Sequence, residues 1–386
     1  MNVAITPSVA KGSVTPPPSK SYAHRLLVCA ALSRGESIIE NIGTNDDILA
    51  TADCLRNMGA DIKLDGTTAT VKGIGLNKMA DRISLFCNES GSTLRFLIPL
   101  SLVFSKKATF SGKGRLMERP QTVYEELFTA KGCSVEKSDG KMTVSGQLHS
   151  GLYEVAGDVS SQFITGLLFA LPLLSGDSEI HLTTPLQSAP YIDITIDVLS
   201  RFGVEVKATD YGYFIKGLQT YTAHNEVCEG DWSNAAFLDG FNLAGGSVEL
   251  ENMSLESKQG DMIYRDYFRQ LNDGAPVLDI TQCPDLGPVL IACAVLKNGA
   301  RLIGTNRLKI KESDRGQAMA QELLKLGVDL ENGDDYIIIP KCEIKASTEN
   351  IYCHNDHRIA MSFALLCSVV GGTLEGAECV NKSYPE

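Results

Sequence analysis

Basic and small polar side chains recur at the expected starts of apolar helices, where proteins often bind anions. A helix N-terminus offers unpaired backbone N–H groups and a partial positive charge, and both favour phosphate and carboxylate groups. Lysine or arginine in a first turn opposes that charge, so its presence there indicates an anionic ligand. These starts contain Lys20-Ser21 with Arg25, Ser90-Gly91-Ser92 with Arg95, Ser160-Ser161-Gln162, and Asp356-His357-Arg358.

Further charged segments lie outside these helices. Arg119 precedes Pro120 at another helix start, five of the seven residues from Lys309 to Arg315 are charged, and Lys382 lies in the last segment. Taken singly, each also fits a solvated surface, and Gly91 also fits a plain turn. The chain has no P-loop, dinucleotide-binding or HExxH motif, so the sequence predicts neither a metal nor a nucleotide cofactor.

The helix starts belong to an internal repeat with a period of about 70 residues and one shorter step. The apolar stretches span 21–32, 90–103, 160–174, 231–243, 285–296 and 356–369, and most end at glycine. Amphipathic helices are predicted at 46–58, 121–131, 191–202 and 314–326. Each of these four is followed by a hairpin pattern, at residues 65–66, 139–140, 211–212 and 333–334.

The repeated unit therefore reads β-α-β-α-β-β, and about six copies fit the chain. Because one unit cannot bury a core alone, we expect an α/β protein of two similar domains with three units each. One domain is predicted at 13–228. The other combines 1–12 with 229–386, because strand 2–5 is expected to pair with the last units. Its sixth unit stops before a second helix, either naturally or because the chain lacks about 30 to 40 residues.

Composition excludes several protein classes. A net charge of −12 argues against nucleic-acid binding, and no apolar run is long enough for a membrane span. The N-terminus lacks an export-signal pattern, and the eleven cysteines lie in apolar contexts without a CxxC pair. We therefore expect a cytoplasmic enzyme with reduced thiols.

Nine segments in order resemble the 5-enolpyruvylshikimate-3-phosphate synthases, a branch of the enolpyruvyl transferase family. They are PPPSKSYAHR, ESGSTLRFL, GRLMERP, DVSSQF, SAPYIDIT, EGDWSNAAF, PDLGPVL, KIKESDR and NDHRIAM. The resemblance covers nearly the whole chain. It implies the enolpyruvyl transferase fold, an inverted α/β barrel-like arrangement of two domains with three βαβαββ units each.

The resemblance also implies transfer of the enolpyruvyl group of phosphoenolpyruvate to the 5-hydroxyl of shikimate 3-phosphate, releasing phosphate without a metal or organic cofactor. The implied enzyme is a 3-phosphoshikimate 1-carboxyvinyltransferase, and we expect it to be a monomer. The shikimate 3-phosphate contacts it implies are Lys20, Ser21, Arg25, Ser160, Ser161, Gln162, Ser188, Asp285 and Lys311, with Tyr191 beside them. The phosphoenolpyruvate contacts it implies are Lys20, Gly91, Arg119, Gln162, Arg315, Arg358 and Lys382.

This chemistry needs a proton donor for the methylene carbon and an acceptor for the hydroxyl proton. Glu312 is the expected acid, Asp285 the expected base, and Lys20 an additional donor to the leaving phosphate. Two departures from the family pattern concern asparagine: the segment Arg307-Leu308-Lys309 lies where the family often has one, and Glu89 stands where many members have one.

Two alternatives differ from this interpretation. The sister enzyme that transfers enolpyruvyl to a UDP-amino sugar, UDP-N-acetylglucosamine, normally has a lysine-asparagine pair and a reactive cysteine. Here the pair is Lys20-Ser21, and residues 113–121 contain no cysteine. The second alternative is a non-catalytic anion-binding relative.

Overall fold

A computed structural model, which describes residues 1–74 and 80–384, divides the chain into two units. The continuous unit comprises residues 18–229, and the split unit combines residues 1–17 with 230–386. The sequence prediction placed these divisions after residues 12 and 228. Pro385 and Glu386, the end of the predicted second domain, lie outside the described residues.

Strands and helices alternate along both units and are numbered in chain order. The strands are β1 (Asn2–Ile5), β2 (Lys11–Val14), β3 (Glu36–Glu40), β4 (Asp61–Asp65), β5 (Thr68–Lys72), β6 (Ile83–Phe86), β7 (Lys107–Ser111), β8 (Ser134–Ser138), β9 (Lys141–Ser145), β10 (Gly151–Val155), β11 (Ser178–Leu182), β12 (Val206–Thr209), β13 (Gly212–Ile215), β14 (Glu226–Val227), β15 (Ser247–Leu250), β16 (Val277–Asp279), β17 (Ala300–Ile303), β18 (Glu331–Asn332), β19 (Tyr336–Ile339), β20 (Ile351–Tyr352) and β21 (Gly372–Glu375). The α-helices are α1 (Lys20–Leu32), α2 (Asp46–Asn57), α3 (Gly91–Phe104), α4 (Thr122–Ala130), α5 (Ser161–Ala170), α6 (Ala189–Arg201), α7 (Trp232–Leu243), α8 (Tyr264–Asp273), α9 (Gly287–Leu296), α10 (Arg315–Lys325) and α11 (His357–Val370).

The six predicted apolar helices correspond to α1, α3, α5, α7, α9 and α11, and they are confirmed. Five begin at a residue whose side-chain oxygen accepts a hydrogen bond from the first turn: Ser19, Ser90, Ser160, Asp231 and Asp356. The α9 helix differs, because it continues from a short 3-10 helix, Pro284–Leu286, that carries Asp285. Most residues of these helices are buried and contribute to the interior of the two units.

The continuous unit has three four-stranded sheets with one common design. Their strand orders are β14-β3-β5-β4, β6-β7-β9-β8 and β10-β11-β13-β12. In each sheet the first two strands are parallel and the remaining pairs are antiparallel, as a βαβαββ unit requires. The first repeat takes its leading strand from β14, at the other end of this unit.

The split unit follows the design less completely. One sheet has all four strands, in the order β16-β17-β19-β18, while β1-β21-β20 has three and β15-β2 has two. Strand β1 runs antiparallel to β21, which joins the first residues of the chain to its last repeat. The fourth repeat has no hairpin among the described residues, as the short step predicts, but it contains α8, which the sequence analysis missed.

Two further expectations from the sequence concern reduced cysteines and the lack of a membrane-spanning segment. All eleven cysteines are free, and ten of them are buried, as their apolar contexts predict. Within residues 1–74 and 80–384, none of the helices combines the length and apolar composition that crossing a bilayer demands.

Candidate active site

The start of α1 presents Lys20 beside a carboxylate. Lys20 Nζ donates to Asp47 Oδ2 at 2.9 Å, and the two side chains are only 19% and 10% exposed. Asp47 lies in the first turn of α2, where acidic residues are favoured. Sequence reasoning did not single out Asp47, although a carboxylate beside the Asn45 cap of a second helix was the available signal.

Arg25 connects the start of α1 to α6. Its Nε donates to Thr195 Oγ1 at 2.7 Å, its Nη1 to the Ser21 carbonyl at 2.7 Å, and its Nη2 to the Tyr191 carbonyl at 2.8 Å. Burial lowers the pKa of Arg25 to about 10. Ser188 caps α6 in a left-handed conformation, with φ 57°, and is fully buried. The structure thus brings Ser21, Arg25, Ser188 and Tyr191 together.

The starts of α3 and α5 are joined through Arg95 and Gln162. Arg95 Nη1 donates to Gln162 Oε1 at 2.8 Å, and Gln162 Nε2 donates to Ser92 Oγ at 3.0 Å. Ser160 accepts from the Gln162 backbone N–H at 3.4 Å, while Ser161 opens the helix. Arg95 is therefore a structural cation, and it holds Gln162 against the first turn of α3.

Gly91 lies directly under the guanidinium of Arg119. A β-carbon at Gly91 would approach Arg119 Nη1 to 2.6 Å and Cζ to 3.0 Å, so only glycine leaves this space without a shift. Arg119 Nε is buried and has no hydrogen-bond partner among the described residues. The α3 start therefore combines helix N–H groups with an arginine whose Nε is unpaired, an arrangement suited to a small anion.

Asp285 is the centre of a cationic cluster in the split unit. Its Oδ1 accepts from Lys311 Nζ at 3.0 Å and from Arg315 Nη1 at 2.9 Å, and its Oδ2 accepts from Arg358 Nη2 at 3.2 Å. Burial raises the pKa of Asp285, but the three cations outweigh it and hold the pKa well below its usual range. Burial lowers the pKa of Lys311 to about 8.

Arg315 binds three carboxylates at once and is 1% exposed. Besides Asp285, its Nε donates to Asp356 Oδ2 at 2.9 Å and its Nη2 to Glu312 Oε2 at 2.8 Å. Asp356 is completely buried and also accepts from Ser313 Oγ at 3.0 Å. The arrangement fixes the segment before α10 against the start of α11.

Arg358 differs from Arg315 in its hydrogen bonding, because two of its side-chain nitrogens have no acceptor among the described residues. It is 5% exposed, yet its Nε and Nη1 have no hydrogen-bond partner in the part of the chain that the structure describes. Lys382 lies near the same helix start, because its Nζ donates at 2.6 Å to the carbonyl of Asn355, three residues before Arg358. Unpaired buried donors on an arginine indicate a ligand that accepts hydrogen bonds.

The predicted site residues thus collect within each unit. In the continuous unit they lie at the starts of α1, α3, α5 and α6 and on the segment that carries Arg119; in the split unit they surround Asp285 and the start of α11. Among the described residues, no cluster of histidine, cysteine, aspartate and glutamate suits a metal ion.

A family model described as EPSP synthase (3-phosphoshikimate 1-carboxyvinyltransferase) matches residues 5–386. The chain belongs to the EPSP synthase family. The 3-phosphoshikimate 1-carboxyvinyltransferase of Clostridium kluyveri is 43% identical to it, covering 99% of this chain and 95% of the relative. The enzyme of the same name from Clostridium perfringens is 40% identical, covering 99% and 96%.

A solved structure of EPSP synthase from Acinetobacter baumannii matches with a TM-score of 0.78 and 24% identity, covering 100% of this chain and 96% of that one. At this identity the match shows the fold, and it confirms the predicted fold class. The family membership confirms the resemblance drawn from the nine segments and the class of enzyme, a 3-phosphoshikimate 1-carboxyvinyltransferase. It favours that class over the UDP-amino-sugar alternative.

Proposed function

We propose that the chain transfers the carboxyvinyl group of phosphoenolpyruvate to the 5-hydroxyl of shikimate 3-phosphate and releases phosphate. The observation that carries this proposal is the cluster of Lys311, Arg315 and Arg358 around Asp285, in which two buried Arg358 donors have no partner among residues 1–74 and 80–384. Such a cluster supplies both a base and the cations that a substrate with two dense anionic groups requires. The family's name for its reaction supports the same conclusion.

The binding roles follow the same division as in the sequence analysis. Shikimate 3-phosphate would be held by Lys20, Ser21, Arg25, Ser160, Ser161, Gln162, Ser188, Tyr191, Asp285 and Lys311. Phosphoenolpyruvate would be held by Lys20, Gly91, Arg119, Gln162, Arg315, Arg358 and Lys382. Arg119 and Arg358 are the strongest candidates among the cations, since both carry buried donors without a partner among the described residues.

The addition step joins the 5-hydroxyl oxygen to C2 of phosphoenolpyruvate and moves a proton to its C3 methylene. Asp285 would accept the hydroxyl proton, and its ionised state suits that role. Glu312 would deliver the proton to C3. The hydrogen bond from Arg315 Nη2 to Glu312 Oε2, at 2.8 Å, holds this carboxyl group beside the cations of the cluster.

In the elimination step Glu312, ionised after the addition, would take back a proton from the methyl carbon, while the bond from C2 to the phosphate oxygen breaks and the double bond is restored. Lys20 would donate a proton to the leaving phosphate, which removes the charge that develops on its oxygen. Its ion pair with Asp47 keeps the ammonium group oriented. The reaction balances, because the carboxyvinyl group replaces the hydroxyl hydrogen, Glu312 regains the proton it gave, and the proton gained by Asp285 equals the one that Lys20 gives to phosphate.

We also propose the remaining expectations from the sequence for this enzyme. Residues 13–228 and residues 1–12 with 229–386 would act as its two domains. The enzyme would work as a cytoplasmic monomer without metal or organic cofactor, and without nucleic-acid or membrane partners. The net charge of −12 supports the absence of nucleic acid.

The test is phosphate release by the purified chain with both substrates, together with mass measurement of the product. We expect one carboxyvinyl-shikimate 3-phosphate per phosphate released and no release when either substrate is omitted. Asp285→Asn should abolish turnover, whereas Asp239→Asn, on α7, should not. Turnover with UDP-N-acetylglucosamine in place of shikimate 3-phosphate would overturn the proposal, and so would anion binding without any turnover.

A further inference from the structure

A buried hydrogen-bond chain, which has no role in the proposed reaction, joins α1, α2 and α3 in the continuous unit. His24 Nδ1 lies 2.7 Å from Thr51 Oγ1, and Thr51 Oγ1 lies 2.6 Å from Thr93 Oγ1. Thr93 Oγ1 in turn donates to Ser90 Oγ at 2.7 Å. All four residues are at most 1% exposed, so bulk water does not compete for these hydrogen bonds.

The hydrogen bonds of this chain run in one direction, which follows from counting hydrogens. Each threonine hydroxyl carries one hydrogen, and that of Thr93 goes to Ser90. The hydrogen between the two threonines therefore comes from Thr51, and the one between Thr51 and His24 comes from Nδ1 of the ring. Burial holds the pKa of His24 well below its usual range, so the ring is neutral and its only N–H is on Nδ1.

The chain also holds the backbone of Asp47, the residue that pairs with Lys20. The Asp47 carbonyl oxygen lies 3.2 Å from Thr51 Oγ1 and 3.4 Å from Thr93 Oγ1, so both hydroxyl groups are shared with it over longer distances. The Asp47 carboxylate accepts from Lys20 Nζ at 2.9 Å. A shift of either threonine would therefore move Asp47 and, through it, the ammonium group of Lys20.

Helical spacing arranges these contacts as two parallel connections between α1 and α2. Lys20 and His24 are four residues apart on α1, and Asp47 and Thr51 are four residues apart on α2, so each pair lies on one side of its helix. The ion pair joins the first members, and the hydrogen bond at 2.7 Å joins the second members. Thr93, the third residue of α3, attaches the start of that helix to the second connection.

We propose that this hydrogen-bond chain fixes Lys20 relative to Gly91 and so positions both residues for phosphoenolpyruvate. Its middle members, Thr51 and Thr93, are then positioning residues, because they are buried and act through Asp47 and the start of α3. This inference rests on the proposed function, in which Lys20 and Gly91 hold phosphoenolpyruvate. Hydroxyl groups suit this task, since a hydrogen bond sets both a distance and a direction, whereas apolar burial is non-directional.

The test replaces Thr93 with valine, which has nearly the same shape but no hydroxyl group. We expect Thr93→Val to raise the KM for phosphoenolpyruvate about tenfold, because a displacement of about half an ångström between binding groups has an effect of this order. The KM for shikimate 3-phosphate should change less than about threefold, since Ser160 and Ser188 lie at the starts of other helices. Thr93→Ser keeps the hydroxyl group and should restore the KM for phosphoenolpyruvate to within about threefold of the wild type.

A double variant distinguishes one connected chain from two independent contacts. Thr51→Val alone should raise the KM for phosphoenolpyruvate about tenfold, and adding Thr93→Val should raise it no more than about twofold further, because either change already interrupts the chain. Independent contacts would multiply to about a hundredfold. The matched control, Thr143→Val, breaks another threonine pair of the same unit, in which the Thr109 and Thr143 hydroxyl oxygens lie 3.2 Å apart, and it should leave both KM values unchanged.

The inference would be overturned if Thr93→Val kept its KM for phosphoenolpyruvate within about twofold of the wild type, or if the two valine substitutions multiplied in the double variant. A Thr93→Ser enzyme as impaired as Thr93→Val would also overturn it. If Thr93→Val does not fold, Thr51→Val with Thr51→Ser as its rescue makes the same comparison. Absence of turnover by the wild type with both substrates would instead refute the proposed function, so the two failures are distinguishable.

Discussion

Replacing Arg358 with glutamine tests whether Arg358 Nε and Nη1, which have no partner among the described residues, bind phosphoenolpyruvate. Charge-assisted hydrogen bonds each contribute about 1.5–3 kcal/mol. Glutamine keeps one donor but loses the charge and the second contact, so we expect a loss of about 3–4 kcal/mol. This corresponds to a fall in kcat/KM for phosphoenolpyruvate of roughly 10²- to 10³-fold.

The Arg358→Gln substitution should also change the pH dependence of kcat. Arg358 heads the cations that lower the pKa of Asp285, so removing it raises that pKa. Activity that depends on ionised Asp285 is present above its pKa and is lost as the pH falls through it. The acid limb of the kcat profile in Arg358→Gln should therefore lie at higher pH than in the wild type.

The assay is phosphate release over a range of phosphoenolpyruvate concentrations at several pH values. Arg301→Gln is the control, because Arg301 is an exposed arginine of the same unit that contacts the Tyr336 ring. We expect the control to stay within about twofold of the wild type. The reasoning would be refuted if Arg358→Gln kept its KM for phosphoenolpyruvate and its acid limb.

Three further predictions concern other parts of the two units. Gly91→Ala should raise the KM for phosphoenolpyruvate about tenfold or more, because the new methyl group displaces the Arg119 guanidinium. In the wild type, kcat/KM for shikimate 3-phosphate should fall above about pH 8 as Lys311 loses its proton, and Lys311→Arg should remove this fall. Thr51→Val should lower the free energy of unfolding by about 1–3 kcal/mol in urea, because it leaves His24 Nδ1 without the hydroxyl at 2.7 Å.

Each of these has its own control or contrary result. Gly274→Ala should leave KM unchanged, since a β-carbon there meets no atom within 4 Å. If kcat/KM for shikimate 3-phosphate still fell above about pH 8 in Lys311→Arg, a group other than Lys311 would be responsible for the fall. Thr109→Val removes a half-buried hydroxyl from a strand pair, so it should lower the free energy of unfolding less than Thr51→Val does. If Thr51→Val and the wild type unfolded at the same urea concentration, the expected loss of stability would be contradicted.

The sequence was informative wherever the determining interactions are local. Caps such as Ser19 and Ser90, apolar stretches and Asp-Gly turns act over a few residues, so the apolar helices and the four hairpins could be located. Helix α8 was missed, although Tyr264, Phe268 and Leu271 give it an apolar face. The charged residues around that face obscured it, since α8 is polar on average.

The sequence was less informative about what each arginine binds. Arg25, Arg95 and Arg358 looked alike in sequence, because all three lie within the first two turns of apolar helices. The structure separates them: carbonyl and side-chain oxygens far away in sequence accept from Arg25 and Arg95, whereas two donors of Arg358 have no partner in the described part of the chain. Such long-range partners leave no mark near the arginine in sequence.

The pairing of β1 with β21 has a consequence for the order in which the protein is made. The continuous unit contains all its own strands and can fold as soon as its last residues leave the ribosome. Strand β1 waits for a partner about 370 residues later, which takes about 20–70 s at bacterial and eukaryotic rates of synthesis. During that time β1 is an unpaired strand segment on a nascent chain, and β2 is unpaired until β15 has been made. The split unit can therefore complete its sheets only after β21 has been synthesised.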